Sequence, residues 1–78
     1  AYYDRGRAYA KTGQYQQAIR DYDETIHLKP DHADAYNNRG AIFLNLGNRE
    51  RGCLDARKAC ELGNCKILKI AERSRVCR

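Results

Sequence analysis

Four cysteines carry the most specific chemistry in this sequence, and all lie in its last third: Cys53, Cys60, Cys65 and Cys77. They can form disulfides, remain as reduced thiols in an apolar core, or bind a metal. Their spacing lacks the short C-x2-4-C knuckle of most zinc sites. No C-x-x-C redox motif and no C-x-x-C-H haem motif occurs either. The sequence therefore favours disulfides, with core thiols next and a metal site last.

The pairing of the cysteines follows from the helices that carry them. Helices expected over about 49–62 and 66–76 form an antiparallel hairpin that turns near residues 63–64. That hairpin favours the nested pairing of Cys53 with Cys77 and of Cys60 with Cys65. Two helical turns would hold Cys53 and Cys60 about 10 Å apart, which is beyond disulfide reach. Paired cysteines would place the protein in a periplasm or outside the cell, and unpaired ones in the cytoplasm.

No other residues form a catalytic set. His27 and His32 flank Pro30, and we expect both at the surface near helix ends. The acidic cluster Asp21, Asp23 and Glu24 is expected on the solvated outer side of a helix. No nucleophile–base pair, phosphate loop or metal set can be named, so the sequence predicts a non-enzymatic protein without a cofactor.

An internal repeat of 34 residues organises the elements that position these groups. Gly6 is echoed by Gly40, and Gly13 by Gly47. Other positions recur at the same interval as Tyr2/Tyr36, Arg5/Arg39, Tyr9/Phe43, Ile19/Cys53, Asp21/Asp55 and Leu28/Leu62. A fixed period of this size is typical of stacked helical hairpins. With Ala18, Tyr22 and Pro30, the pattern resembles the tetratricopeptide repeat over nearly the whole chain.

The resemblance implies an all-α solenoid of two helical hairpins followed by a capping helix. We expect one domain, 1–78, with repeat 1 over about 1–32, repeat 2 over about 33–64 and the cap over about 65–78. The five helices should cover about 1–12, 15–28, 32–46, 49–62 and 66–76. The absence of an initial Met and the position of the repeat frame suggest a fragment of a larger protein.

Helical spacing predicts which side chains are buried. Gly costs a helix about 1 kcal/mol relative to Ala, so Gly6 should mark a close approach of the next helix. Residues expected on the buried face of the second helix are Tyr15, Ala18, Ile19, Tyr22 and Ile26. Asp31 is expected to cap the third helix. The second repeat has Ala56 in the aromatic slot, so the last helix should fill that volume with Ile67, Ile70, Ala71, Ser74 and Cys77.

The resemblance also implies that the first helix of each hairpin lines a concave groove for a peptide or a partner helix. The matching positions of the first hairpin are Tyr3, Arg7, Ala10 and Lys11, and those of the second are Asp34, Asn37, Asn38, Ala41, Leu44 and Asn45. Leu68, Glu72 and Arg75 extend this surface onto the last helix. An Asn side chain can hydrogen-bond a peptide backbone as both donor and acceptor, and Arg7 and Lys11 could bind a carboxylate.

One branch of the family clamps the C-terminal carboxylate of chaperone peptides with Lys and Asn at set groove positions. Asn38 matches this pattern, but Arg7 stands where Asn would be and Tyr3 where the first Lys would be. Leu68 and Glu72 replace the distal basic residues. The match is partial, so the sequence argues against that ligand.

The charge is unevenly distributed. The net charge is +5, with −1 over residues 1–34 and +6 over residues 35–78. A basic half can attract an acidic partner, although such charges also simply solvate a helical surface. We therefore predict a protein-interaction module without a membrane span. Two alternatives remain open: a self-assembling repeat segment, and binding of nucleic acid or an acidic protein by the basic half, with nucleic acid disfavoured.

Overall fold

The computed structural model describes residues 1–77, and within them the chain forms five α-helices and no strand. They are α1 (Tyr2–Lys11), α2 (Tyr15–Leu28), α3 (Ala33–Asn45), α4 (Arg49–Glu61) and α5 (Lys66–Arg73). This confirms the prediction of an all-α helical repeat. The first four helices agree with the predicted limits to within one residue, whereas α5 ends three residues early. It ends there because Arg75 adopts a left-handed conformation, with φ of 60°.

Two hairpins, α1–α2 and α3–α4, stack through contacts between α2 and α3, and α5 packs on α3 and α4. Gly13 and Gly47 end the first helix of each hairpin with φ of 77° and 84°. A side chain at such a left-handed position is disfavoured, so glycine suits both turns. The two hairpins are therefore built in the same way, as the 34-residue period predicts.

The first hairpin closes around Tyr22, which is 1% exposed and is the largest fully buried side chain among the described residues. A Cβ placed on Gly6 would lie only 2.8 Å from Cε1 of Tyr22. Ala18 and Ala35, both fully buried, complete this part of the core with Ile42. Gly6 thus allows α1 to approach the aromatic ring closely, which offsets its low helix propensity.

Each hairpin also contains a bidentate ion pair between its two helices. Arg5 donates to both carboxylate oxygens of Asp21 at 2.8 and 2.7 Å. Arg39 does the same to Asp55, with both distances 2.8 Å, and its remaining nitrogen donates to Asp23. The expectation that Asp21 is solvated was wrong: its carboxylate is buried because Arg5 compensates the desolvation of the charge.

The Arg5–Asp21 pair predicts an acid-sensitive stability. Hydrogen bonding from Arg5 holds the pKa of Asp21 below its usual value in the folded protein. The unfolded chain therefore binds this proton more readily, so the contribution of Asp21 is complete above the unfolded pKa of about 3.9 and is lost as the pH falls through the folded-state pKa. We expect Asp21→Asn to be less stable at pH 7 but to lose less stability between pH 5 and 2, as measured by urea unfolding. An unchanged acid limb would contradict this.

The second hairpin is completed by α5. Cys53, Ala71 and Cys77 form a buried cluster against which Leu44, Leu68 and Val76 pack. The structure joins Cys53 to Cys77 and Cys60 to Cys65 as disulfides, which is the nested arrangement. The last helix thus packs on α4 around Cys53.

Two details of this region differ from the sequence prediction. Ala71 is buried as predicted, but Ile70 is 56% exposed and Ser74 is exposed, because α5 is rotated to turn Leu68 inward beside Ala71. The N-cap of α3 is His32, not Asp31: Nδ1 of His32 accepts a hydrogen bond from the amide of Ala35 at 3.1 Å. The imidazole nitrogen therefore accepts a hydrogen bond from an amide in the first turn of α3, which has no acceptor within the helix.

Candidate functional site: the concave groove

The clearest candidate site is a cavity of 330 Å³ where α1 and α3 lie side by side. Its walls are Arg7, Ala10 and Lys11 from α1, Tyr15 and Tyr22 from α2, and Asn38, Ala41, Ile42 and Asn45 from α3. Small residues line its middle, so an extended chain can approach the helices closely. We call this cavity the concave groove.

The charged side chains lining the concave groove are both cations. Lys11 is exposed, and Arg7 lies 4.0 Å from the exposed carboxylate of Asp4 at its outer edge. The guanidinium of Arg7 also lies 5.8 Å from the centre of the Tyr3 ring, which helps to fix its position. A carboxylate bound beside these two residues would therefore meet a positive potential.

Two asparagines supply the polar groups of the groove. Nδ2 of Asn38 donates to the hydroxyl of Tyr3 at 3.2 Å, and Nδ2 of Asn45 donates to the hydroxyl of Tyr15 at 2.9 Å. Each amide nitrogen carries two hydrogens, so Asn45 keeps one donor for a ligand, whereas Asn38 also hydrogen-bonds to the Tyr22 hydroxyl. These internal bonds hold both amides in place before a ligand arrives, which lowers the entropic cost of binding.

Six of the ten groove residues predicted on the first helices of the two hairpins line this cavity: Arg7, Ala10, Lys11, Asn38, Ala41 and Asn45. Tyr3 lies beside it, with its ring 4.6 Å from that of His32 and 5.9 Å from that of Tyr22. Its hydroxyl orients Asn38, so Tyr3 supports the groove from one side.

The other three predicted residues contact α5 and the segments on either side of it. Asp34 accepts a hydrogen bond from Asn64 at 2.7 Å, and Asn37 accepts one from the amide of Ile67 at 3.0 Å. Leu44 packs against the cluster of Cys53, Ala71 and Cys77 and is half-buried. Of the positions predicted on the last helix, Leu68 also packs on that cluster, while Glu72 and Arg75, which follows the end of α5, are exposed.

The tyrosines of α2 were not predicted to line the groove. Tyr15 and Tyr22 were expected only as core residues, yet each also contributes to the cavity wall. Burial raises the pKa of the Tyr22 phenol, which therefore stays protonated at neutral pH. Helical spacing predicts which face of α2 is buried. It does not predict that Tyr15 and Tyr22 on that face also line the groove.

Among the described residues, no group of three or more His, Cys, Asp or Glu side chains is placed to hold a metal ion. None of the helices in residues 1–77 is both long enough and apolar enough to cross a bilayer. The two histidines are separate in role: His27 is exposed, whereas His32 caps α3 and packs on Tyr3.

The fold and its groove define a helical-hairpin repeat protein. Comparison with known families identifies which repeat family it is. The family profile described as "TPR repeat" matches residues 6–47, and that described as "Tetratricopeptide repeat" matches residues 33–62. The chain therefore belongs to the tetratricopeptide-repeat family, as its sequence pattern predicted.

Curated relatives include Hsp70-Hsp90 organizing proteins and mitochondrial import receptor subunits. The chain is 36% identical over 59 residues to Hsp70-Hsp90 organizing protein 3 of Arabidopsis thaliana. The aligned segment covers 76% of this chain and 11% of that protein. It is 39% identical over 71 residues to the mitochondrial import receptor subunit TOM70 of Homo sapiens, covering 85% of this chain and 12% of that protein. The chain thus spans about a tenth of the length of the relatives it matches.

Proposed function

We propose that this chain is a non-enzymatic protein-interaction module whose concave groove binds an acidic peptide segment of a partner protein. The observation that carries the proposal is the pairing, in one cavity, of two cations with two pre-oriented amides. Arg7 and Lys11 would bind a carboxylate. Asn45 would hydrogen-bond the peptide backbone with its second donor, and Asn38 would do so in exchange for its bond to Tyr22. The names of the relatives, an Hsp70-Hsp90 organizing protein and an import receptor subunit, support a protein partner.

The partial match to the chaperone-tail clamp leaves the position of the acidic group in the peptide open to experiment. Tyr3 supports Asn38 where that clamp would place a Lys, so the positive charge is confined to Arg7 and Lys11. We expect an internal Asp or Glu to be recognised as well as a terminal carboxylate. Comparing one acidic peptide with a free and with an amidated C-terminus tests this.

The groove predicts a selective loss of partners on mutation. We expect Arg7→Gln combined with Asn38→Ala to reduce recovery of partner proteins about tenfold, because it removes a charge and a backbone-binding amide together. The measurement is a quantitative pull-down with the variant and the unchanged chain, followed by mass spectrometry.

The matched control is Arg20→Gln combined with Gln17→Ala, since both residues are exposed on α2 outside the groove. It changes the net charge equally. Thermal unfolding of both variants should show that each remains folded. Equal recovery of partners by the groove variant and the unchanged chain would remove the groove from the proposal.

A further inference from the structure

The outer face of α5 presents a row of cations around an exposed apolar residue. Lys66, Lys69, Ile70 and Arg73 follow one another at helical spacing, and all four are exposed while Ala71 on the opposite side is buried. Residues three and four positions apart share one helix surface, so these side chains form a single patch. None of the four lines the concave groove.

The cations of this patch have no acidic partner within 4.0 Å among the described residues. In α1–α4, Arg5, Arg7, Arg39 and Lys58 face carboxylates within that distance, whereas Lys11, Arg20, Arg49 and Arg51 form no such pair within residues 1–77. The patch lies in the half of the chain that carries the net charge of +6. Three cations with no carboxylate of the described chain within 4.0 Å thus lie on one face of this short helix.

A cavity of 470 Å³ adjoins the patch, between the start of α3 and the turn before α5. Lys66 and Lys69 line it together with Asp34, whose carboxylate accepts the hydrogen bond from Asn64. The first amides of α5 are already used: the amide of Lys66 donates to Asn64 and that of Ile67 to Asn37. An anion in this cavity would therefore be bound by the lysine side chains, against the charge of Asp34, and not by the helix end.

Both ends of the patch are fixed to the rest of the molecule. The disulfide Cys60–Cys65 ties the turn before α5 to α4, and Cys53–Cys77 ties the segment after α5 to the same helix. The patch is thus held on a rigid element, and binding a partner there does not require the helix to be ordered first.

We propose that the outer face of α5 docks an acidic amphipathic segment of a partner protein. One carboxylate would enter the cavity between Lys66 and Lys69, an apolar side chain would cover Ile70, and a second carboxylate would face Arg73. Charge complementarity selects an acidic partner, and the exposed Ile70 selects a protein over a nucleic acid, since it offers no aromatic ring on which a base could stack. This surface is distinct from the concave groove, so one chain can engage two segments.

The test uses a fluorescent designed helical peptide in which Leu and Glu alternate at helical spacing, with binding measured by anisotropy at two salt concentrations. We expect Lys66→Gln combined with Lys69→Gln to weaken binding about fivefold, and Ile70→Ala to weaken it about threefold. A peptide with Gln in place of Glu should lose salt dependence. The control variant Arg20→Gln combined with Lys29→Gln removes the same charge from α2 and the loop after it, and should change binding less than twofold.

Each alternative has its own result. An equal loss in the control variant, or no loss with Ile70→Ala, would overturn the proposal. Loss only with Arg7→Gln combined with Lys11→Gln would assign this peptide to the concave groove and overturn the α5 site without affecting the groove. Equal binding of a duplex DNA oligonucleotide would assign the face to nucleic acid and overturn the proposal. A mass in solution that rises with concentration and falls in the Lys66→Gln/Lys69→Gln variant would assign the face to a second copy and also overturn the proposal.

Discussion

Replacing Tyr22 by Ala is expected to lower the free energy of unfolding by about 3–5 kcal/mol, the range for removing a large buried aromatic side chain. Tyr22 is 1% exposed, and its ring packs against Gly6 and against the ring of Tyr3. Since α1 approaches this ring at Gly6, the nearest residue of α1 has no side chain with which to fill the space. Urea unfolding followed by circular dichroism measures the loss.

The size of this loss matters because small domains have little stability to spare, about 5–15 kcal/mol in total. Two controls separate the cavity from other effects. Tyr22→Phe keeps the ring and should cost much less, and Leu28→Ala removes a large side chain that is 67% exposed and should cost under about 0.5 kcal/mol. If Tyr22→Ala and Leu28→Ala unfold at the same urea concentration, the account of the first hairpin core is wrong.

The first hairpin core was predictable from the sequence because its small and aromatic residues recur at helical spacing. Gly6 inside α1 and Tyr22 on α2 together indicate that the two helices cross closely, and no other feature of the sequence explains a glycine at position 6. The ion pair between Arg5 and Asp21 was missed, although a signal was present. Arg39 and Asp55 repeat the same separation of 16 residues one period later, which indicates a pair preserved by the repeat.

The groove was only partly predictable. The repeat register gives the face of α1 and α3 that lines it, and hence Arg7 and Asn38. It does not give the internal use of Asn37, whose partner is an amide 30 residues away in α5. That contact depends on how α5 is rotated. The rotation is set by Ala71 and Leu68 packing on the disulfide between Cys53 and Cys77, not by the spacing of Ile67 and Ile70 alone.

Removing the Cys53–Cys77 disulfide by Cys53→Ala with Cys77→Ala is expected to cost about 3 kcal/mol, from the entropy of the loop that it closes in the unfolded chain. The loss should be concentrated in α5. Cys53 and Cys77 are two of the three buried members of the cluster beneath this helix, so little apolar contact remains to hold it. Hydrogen exchange should therefore accelerate in residues 66–73 and much less in α1 and α2.

The second disulfide provides the matched comparison, because Cys60 and Cys65 are only five residues apart and close a short loop. Cys60→Ala with Cys65→Ala should cost less, about 2 kcal/mol. It should leave α5 packed on Leu44, since the buried cluster is intact. If the long-loop variant leaves exchange in α5 unchanged, or the short-loop variant destabilises it more, then apolar packing and not the Cys53–Cys77 bond holds the last helix in place.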